Sequence, residues 1–343
     1  MFLPPEVRTN TWWDAELVEL WMERRRAAPP LPRPTTAGQT LVLEAMARQS
    51  LDPFQGAVER RVVSNDTSMV DMEERAARDA LARSGIDRSE IDLLLTHTVV
   101  PDYWLSNPAC ELHARLGLPA RCFSMHVDAA AYSFIMQLAL AEAMIASGQA
   151  HNALLVQSCA ATRLIPKTDP GSPIVGDGAT AVVVGPVRDN RGVLASVHFT
   201  DGRTPRSLIA TVEGGRWYDE GRATMHIGDP IQMRNVFINT ADACKTAIDA
   251  VLAKAALTPA EVDVLSMYQG TPWLRDVVQD YAGLSRARSV DVFARIGYIS
   301  SALVPANLRT ALDEGNLKDG DVVVMTGGGT GMTYGALVMR WGT

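Results

Sequence analysis

Cysteine is scarce in this chain. Cys110, Cys122, Cys159 and Cys244 are scattered over 343 residues, with no C-x-x-C pair and no histidine at ligand spacing. That pattern argues against a disulfide framework and a zinc site, and leaves four free thiols to be buried. Histidine is equally sparse, with six dispersed copies, and no metal site is expected. Long apolar runs are missing as well. No window holds eighteen consecutive apolar residues, and the opening "MFLPPEVRTNTWWD" lacks the basic flank and apolar core of an export signal. The expectation is a cytoplasmic protein without a membrane span. Nor is there an excess of positive charge: 32 Lys and Arg face 39 Asp and Glu, for a net charge of −7. With no basic face interleaved with aromatics, nucleic acid is not an expected partner.

What is present is an ordinary globular composition, 47% hydrophobic and 21% charged, in a chain long enough for two cores. An internal echo organises it. "ALARSGIDRSEIDLLLTH" at 80–97 and "VLAKAALTPAEVDVLSMY" at 251–268 share Leu, Ala, Glu, Asp and Leu in register. Each reads as a helix end, a turn with an acidic Glu-x-Asp sequence, and a buried strand, which is the αβ step of a layered fold. Two such steps imply a duplicated α/β unit with halves at 1–187 and 188–343.

Other strands are expected at 152–160, 178–187, 192–200, 321–329 and 335–341, short β-branched runs closed by Gly, Pro or polar residues. Helices with apolar residues at three-to-four spacing are expected at 70–84, 133–148, 234–256, 272–282 and 302–315. Residues 20–40, with a charge run and a proline cluster, read as a surface excursion. Loops 98–108, 161–177 and 202–232 and the glycine run "GGGTGMTYG" (327–335) are left for function.

Four stretches carry a resemblance. "FLPPEVRTN" and "VERRVVSNDTSMVDMEERAARDALARSGI" resemble the opening loop and first long helix of the β-ketoacyl-acyl carrier protein synthase III group of the thiolase superfamily. "IVGDGATAVVVG" is similar to that group's "FGDGAGAVVL", and "GGGTGMTYGALVMRW" to its closing "FGGGFTWGSALVRF". The likeness covers nearly the whole chain. It implies the thiolase fold, two βαβαβαββ halves stacked as five layers α-β-α-β-α, usually as a homodimer. The group has a strand before its opening loop where this chain has only Met1 and Phe2, which puts that strand in doubt.

The resemblance also implies a site, and here the chain departs from the pattern. In the group a cysteine at the N-terminus of the central helix attacks an acyl thioester as a thiolate. Aligning Phe134 and "SG" at 147–148 places that cysteine at Ala131, in "DAAAYSF" (128–134). The group's histidine falls on Tyr268 of "YQGT" and its asparagine on Tyr298 of "GYIS". A related acyltransferase branch, with histidine and aspartate at the second motif, meets Tyr298 and Leu303 here.

Three readings stand side by side: an alanine put in place of a natural cysteine, a catalytically silent partner of an active synthase, and a changed reaction. The last includes a cyclase or hydrolase. For it, the backbone N–H of Ala131 with that of Gly329 or Thr330 would form an oxyanion hole. Tyr268 and Tyr298 would donate hydrogen bonds. His97, the echo's counterpart of Tyr268, and His126, just before the elbow, are the histidines on strands expected to lead towards the pocket.

The implied substrate is an acyl thioester carried on phosphopantetheine, from an acyl carrier protein or coenzyme A, with no other cofactor. The tryptophan and arginine that hold the coenzyme A nucleotide in the group fall on Ser50 and Phe54, which tilts the donor towards a carrier protein. Its acidic surface would meet Arg60, Arg61 or Arg24–Arg26. Trp104, Trp217, Tyr218 and Met233 are on loops that line the acyl channel in the group. A homodimer is expected, or a heterodimer with an active synthase.

Overall fold

The echoed segments fold alike. In the computed structural model, which describes residues 1–342, each runs from a helix through a left-handed residue, Gly85 (φ +71°) or Ala256 (φ +54°), into a single 3-10 turn. The turns carry the same reciprocal cap, Asp87 with Glu90 and Thr258 with Glu261, so the acidic residue in each copy satisfies an N-terminal amide. A buried strand follows in each case.

In chain order the first half holds β1 (Glu6–Thr9), α1 (Ala15–Arg26), α2 (Ala37–Gln49), β2 (Glu59–Val62), α3 (Met69–Ser84), β3 (Leu93–Thr98), α4 (Pro108–Leu116), β4 (Phe123–His126), α5 (Ser133–Ala146), β5 (Ala153–Ala160) and β6 (Asp177–Val184). The second holds β7 (Gly192–Thr204), β8 (Ile209–Thr211), β9 (Thr224–His226), α6 (Pro230–Lys254), β10 (Val264–Met267), α7 (Trp273–Tyr281), α8 (Phe293–Ile296), α9 (Leu303–Asp313), β11 (Val322–Gly329) and β12 (Gly331–Arg340).

The two main sheets have one topology. The first runs β4-β3-β5-β6, with β4, β3 and β5 parallel and β6 antiparallel, and Phe2 bridges the outer edge of β6 in antiparallel fashion. The second runs β10-β11-β12-β7, parallel and then twice antiparallel, with Arg288 bridging β10 in the place of β4. The N-terminal strand left in doubt is thus present as one bridge, made by Phe2 N–H to Ala179 O at 2.8 Å and Ala179 N–H back to Phe2 O at 2.9 Å.

Strand alternation sorts the side chains into layers. Leu93, Leu95 and Leu155 point inward onto α5 and α9, which are sandwiched against Val323, Met325 and Leu337 of the second sheet. Leu94, Leu154 and Val156 point outward onto α3 and α4. On the far side, Leu265, Val322 and Val324 meet α6, α7 and α2. Both faces of each sheet are covered, which is why these strands read as continuous apolar runs instead of alternating ones. The result is the five-layer thiolase fold.

Two expectations are corrected. The surface excursion is narrower than 20–40: Trp21 on α1 is buried and its Nε1–H donates to Thr168 O at 2.9 Å, while the exposed stretch covers residues 26–37. Residues 37–49 also belong in space with the second half. α2 packs in the second half's outer core, and Thr36 Oγ1 donates to Asp242 at 2.6 Å. No helix among the described residues is long and apolar enough to cross a membrane.

Candidate active site

Two elbows meet in the middle of the molecule. Ala130 (φ +51°) and Ser300 (φ +53°) are non-glycine residues in the left-handed region, a conformation that costs energy and is found where a turn must be sharp. Each elbow is one 3-10 turn, Ala130–Tyr132 or Ser300–Ala302, feeding a central helix, α5 or α9. The residues before them match too: Ala129 has φ −136° and ψ 36°, Ile299 φ −112° and ψ 34°. Ala131 is therefore the internal counterpart of Ser301, and Asp128 of Tyr298.

The first elbow is tied down by its neighbours. Ala129 N–H donates to Ser133 Oγ at 2.8 Å, Ser133 Oγ–H donates to Ala130 O at 2.7 Å, and Ala130 N–H donates to Asp128 Oδ1 at 2.7 Å. Ala131 is buried, and its N–H has no hydrogen-bond acceptor among the described residues. The glycine run passes close by. A Cβ on Gly329 would sit 1.9 Å from Ala129 O, and one on Gly327 2.8 Å from Tyr268 Cβ, so β11 can run between elbow and tyrosine only without side chains.

Tyr268 and Tyr298 lie together, ring centroids 5.5 Å apart at 80°. Burial pushes Tyr268 up to about 12, and Tyr298 is also raised well above the ordinary phenol value, first by burial and then by Tyr268. Both stay protonated near neutrality. They are hydrogen-bond donors there and not bases. Gln269, next to Tyr268 in the chain, is fully buried with both side-chain amide atoms unpaired.

The two expected histidines stack at 6.0 Å and 14°. His126 Nδ1 is 3.3 Å from Thr96 Oγ1, and burial together with His97 lowers its pKa. His97 is buried on β3, with Nδ1 2.6 Å from Ser301 Oγ and Nε2 3.3 Å from Asp128 Oδ1. The imidazole beside it holds the Asp128 carboxyl down at about 2.

Three family descriptions match in order along the chain: "Thiolase, N-terminal domain" over residues 54–157, "3-Oxoacyl-[acyl-carrier-protein (ACP)] synthase III" over 125–202, and "3-Oxoacyl-[acyl-carrier-protein (ACP)] synthase III C terminal" over 252–341. The β-ketoacyl-[acyl-carrier-protein] synthase III of Staphylococcus saprophyticus is 31% identical over 293 residues, 85% of this chain and 90% of that one. The chain belongs to the β-ketoacyl-[acyl-carrier-protein] synthase III family. A relative from Symbiobacterium thermophilum is 31% identical over 294 residues, covering 84% of this chain and 88% of its own. The crystal structure of the synthase III from Aquifex aeolicus superposes with a TM-score of 0.80 at 25% identity, over 99% of this chain and 97% of that one.

Several positions expected to bind substrate have other work in this synthase III-family chain. Arg60, expected to face a carrier protein, is 1% exposed. It clamps the N-terminal segment through Nε–H to Pro173 O at 2.9 Å, Nη1 to Arg8 O at 2.9 Å and Nη2 to Asn10 Oδ1 at 2.8 Å. Burial lowers its pKa to about 10. Arg61 is half-buried. Of the Arg24–Arg26 run, Arg24 and Arg26 are exposed, while Arg25 donates to Ser50 O and Asp52 O. Phe54 packs on Trp13, centroids 6.0 Å apart. Trp104, Trp217 and Tyr218 do come together at 5.5 Å spacings, but on the outside, each more than half exposed; Met233 is half-buried in the first turn of α6.

The "GDG" motif is structural. A Cβ on Gly176 would sit 2.0 Å from Ile296 O, and buried Asp177 accepts from Val63 N–H, Thr162 N–H and Thr162 Oγ1–H. Burial raises Asp177 to about 6.

Sequence reasoning missed two features. One is a cavity of about 490 Å³ lined by Arg8, Arg60, Arg163, Lys167 and Arg222 beside Trp12 and Trp13. Its cations come from four separate chain segments, so no run announced it. The other is Ser301, which the duplication could have found: three residues on from Tyr298, as Ala131 is three on from Asp128, lies Ser301.

Proposed function

We propose that this chain transfers acyl groups from a thioester carried on phosphopantetheine, the donor being an acyl carrier protein or coenzyme A. The observation that carries the reading is the first elbow. A buried residue with a free backbone N–H, pressed against the glycine end of β11, is an arrangement that can receive the oxygen of a thioester carbonyl as it becomes an oxyanion. Membership of the family supplies the substrate class. The buried, unpaired amide of Gln269 offers a donor and an acceptor to an incoming group.

The basic cavity supports the phosphate-bearing end of such a donor. One of its walls is Val175, whose backbone bridges Tyr298, so the cavity adjoins the site. Guanidinium and ammonium groups clustered beside tryptophans suit a phosphate with an attached organic arm. Trp12 already has Arg8 at 3.9 Å and Lys167 at 4.8 Å over its ring.

The test is thiol release from a panel of acyl-coenzyme A and acyl-carrier thioesters. Turnover of at least one is expected; none turned over at any chain length would refute the reading. In the Lys167→Glu/Arg222→Glu protein, KM for the donor is expected to rise about tenfold or more with little change in kcat, since only uniform binding is removed. The wild-type KM is expected to rise with salt, as screened phosphate contacts require.

A further inference from the structure

The line of contacts Ser301–His97–Asp128 is not used by the site around Ala131. It has the form of a nucleophile, a base and an orienting carboxylate. Ser301 Oγ lies 2.6 Å from His97 Nδ1, and His97 Nε2 lies 3.3 Å from Asp128 Oδ1. The Asp128 carboxylate beside Nε2 favours the tautomer with the proton there, which leaves the Nδ1 lone pair facing the serine hydroxyl. The two ring nitrogens are interchanged relative to the Ser-His-Asp proteases, where Nε2 faces the serine. Their chemical roles are equivalent.

The placement follows from the duplication. Ser301 is the second residue of the second elbow, as Ala131 is of the first. His97 ends the first-half echo where Tyr268 ends the second. Asp128 lies three residues before Ala131, and Tyr298 three before Ser301. Each position of the candidate site around Ala131, Tyr268 and Tyr298 therefore has a counterpart in the other half, and it is the counterparts that carry the hydroxyl, the imidazole and the carboxylate. β5 ends against the second elbow as β11 ends against the first, since Gln157–Cys159 and Gly327–Gly329 occupy equal positions in the two sheets. The line also has a solvent end. Ser301 and His97 are buried, while the Asp128 side chain is 62% exposed.

We infer that Ser301 is the acyl-accepting nucleophile of this chain, with His97 as its general base and Asp128 as the residue that positions His97. The inference rests on the acyl-transfer reading for its substrate. In the step, Ser301 Oγ forms a bond to the thioester carbonyl carbon as His97 Nδ1 takes the hydroxyl proton. The tetrahedral intermediate collapses with cleavage of the C–S bond, and the sulfur leaves as a thiol carrying the proton from His97. The products are a Ser301 ester and free thiol, with no change of oxidation state. Deacylation by an alcohol, an amine or water repeats the proton transfers in the same order. Neither the missing cysteine nor the protonated tyrosines is needed for this chemistry.

The experiment uses two probes, octanoyl-coenzyme A and a fluorophosphonate. Acid quench after octanoyl-coenzyme A is expected to show one octanoyl adduct by intact mass, mapped by peptide sequencing to Ser301. The fluorophosphonate is expected to label the same serine. Ser301→Ala should abolish both adducts, and Ser301→Cys should restore the octanoyl adduct as a thioester. Asp128→Asn should slow labelling about a thousandfold while leaving the circular dichroism unchanged, and His97→Gln should slow it at least as much. Thioester turnover at the wild-type rate in Ser301→Ala would overturn this inference and leave the acyl-transfer reading standing. Labelling of Ser301 by the fluorophosphonate, with every thioester refused, would uphold the nucleophile and reject the acyl-transfer reading. Absence of any label on Ser301 from either probe would overturn the inference outright.

Discussion

Gly329→Ala is expected to lower the stability of the protein by about 3 kcal/mol, read as a shift in the urea midpoint, and to remove whatever activity the first elbow supports. The new methyl would meet Ala129 O at 1.9 Å and Ala130 Cβ at 3.2 Å. Neither can give way. Ala129 O already accepts from Tyr132 N–H at 3.1 Å, and Ala129 N–H is held by Ser133 Oγ at 2.8 Å. To relieve the clash, either β11 must leave its register with β12 or the elbow must leave the mouth of α5. Gly202→Ala in β7 is the matched control: an added Cβ there meets nothing within 4 Å, and its φ is compatible with a side chain. That substitution is expected to change stability by less than about 0.5 kcal/mol. Equal effects at the two glycines would show that the close approach of β11 to the elbow does not exist in solution.

The second large effect concerns pH. Glu73 on α3 is 2% exposed, with Ser158 Oγ–H donating to Oε1 at 2.6 Å. Burial raises its pKa to about 8, opposed by the Ser158 hydrogen bond and reinforced by Asp102 and Glu111 nearby. Because the folded value lies above the unfolded one of about 4.5, the native state binds the extra proton. Stability is therefore present in full below the unfolded value and is lost as pH rises towards about 8. Between pH 6 and 9 the loss is expected to be on the order of 3 kcal/mol. Glu73→Gln keeps an acceptor for Ser158 and removes the titration. Its urea midpoint is expected to stay flat over that interval and to exceed the parent's at pH 9. An unchanged slope in the variant would mean that Glu73 is ionised in the fold. Asp177, raised to about 6, adds a loss of the same sign at lower pH.

Much of the architecture was legible because its causes are local. The strands at 153–160 and 322–329 are buried on both faces, so their apolar runs stand out, and α3 and α5 begin and end within two residues of where periodicity puts them. The echo was legible for the same reason, since a helix end, a capped turn and a strand fit within eighteen residues in each copy. The elbow at Ala131 was found by resemblance, and its conformation agrees with a tight turn.

What failed to read depends on distance along the chain. Trp21 looked exposed because its acceptor, Thr168 O, is 147 residues away. Arg60 looked like a docking charge because the carbonyl that buries it, Pro173 O, is 113 residues away. His97 was named from the sequence as a histidine leading towards the pocket, but Asp128 and Ser301 gave no signal of their own until the two halves closed on each other; the serine and histidine are 204 positions apart.

The sequence by itself determined the class of fold and the duplication, because each is written in residues adjacent in the chain or repeated at equal spacing. Which polar groups face one another was decided only by the tertiary structure. Ser301 of one elbow and Asp128 beside the other meet only through His97, at 2.6 and 3.3 Å, and no local pattern encodes those distances.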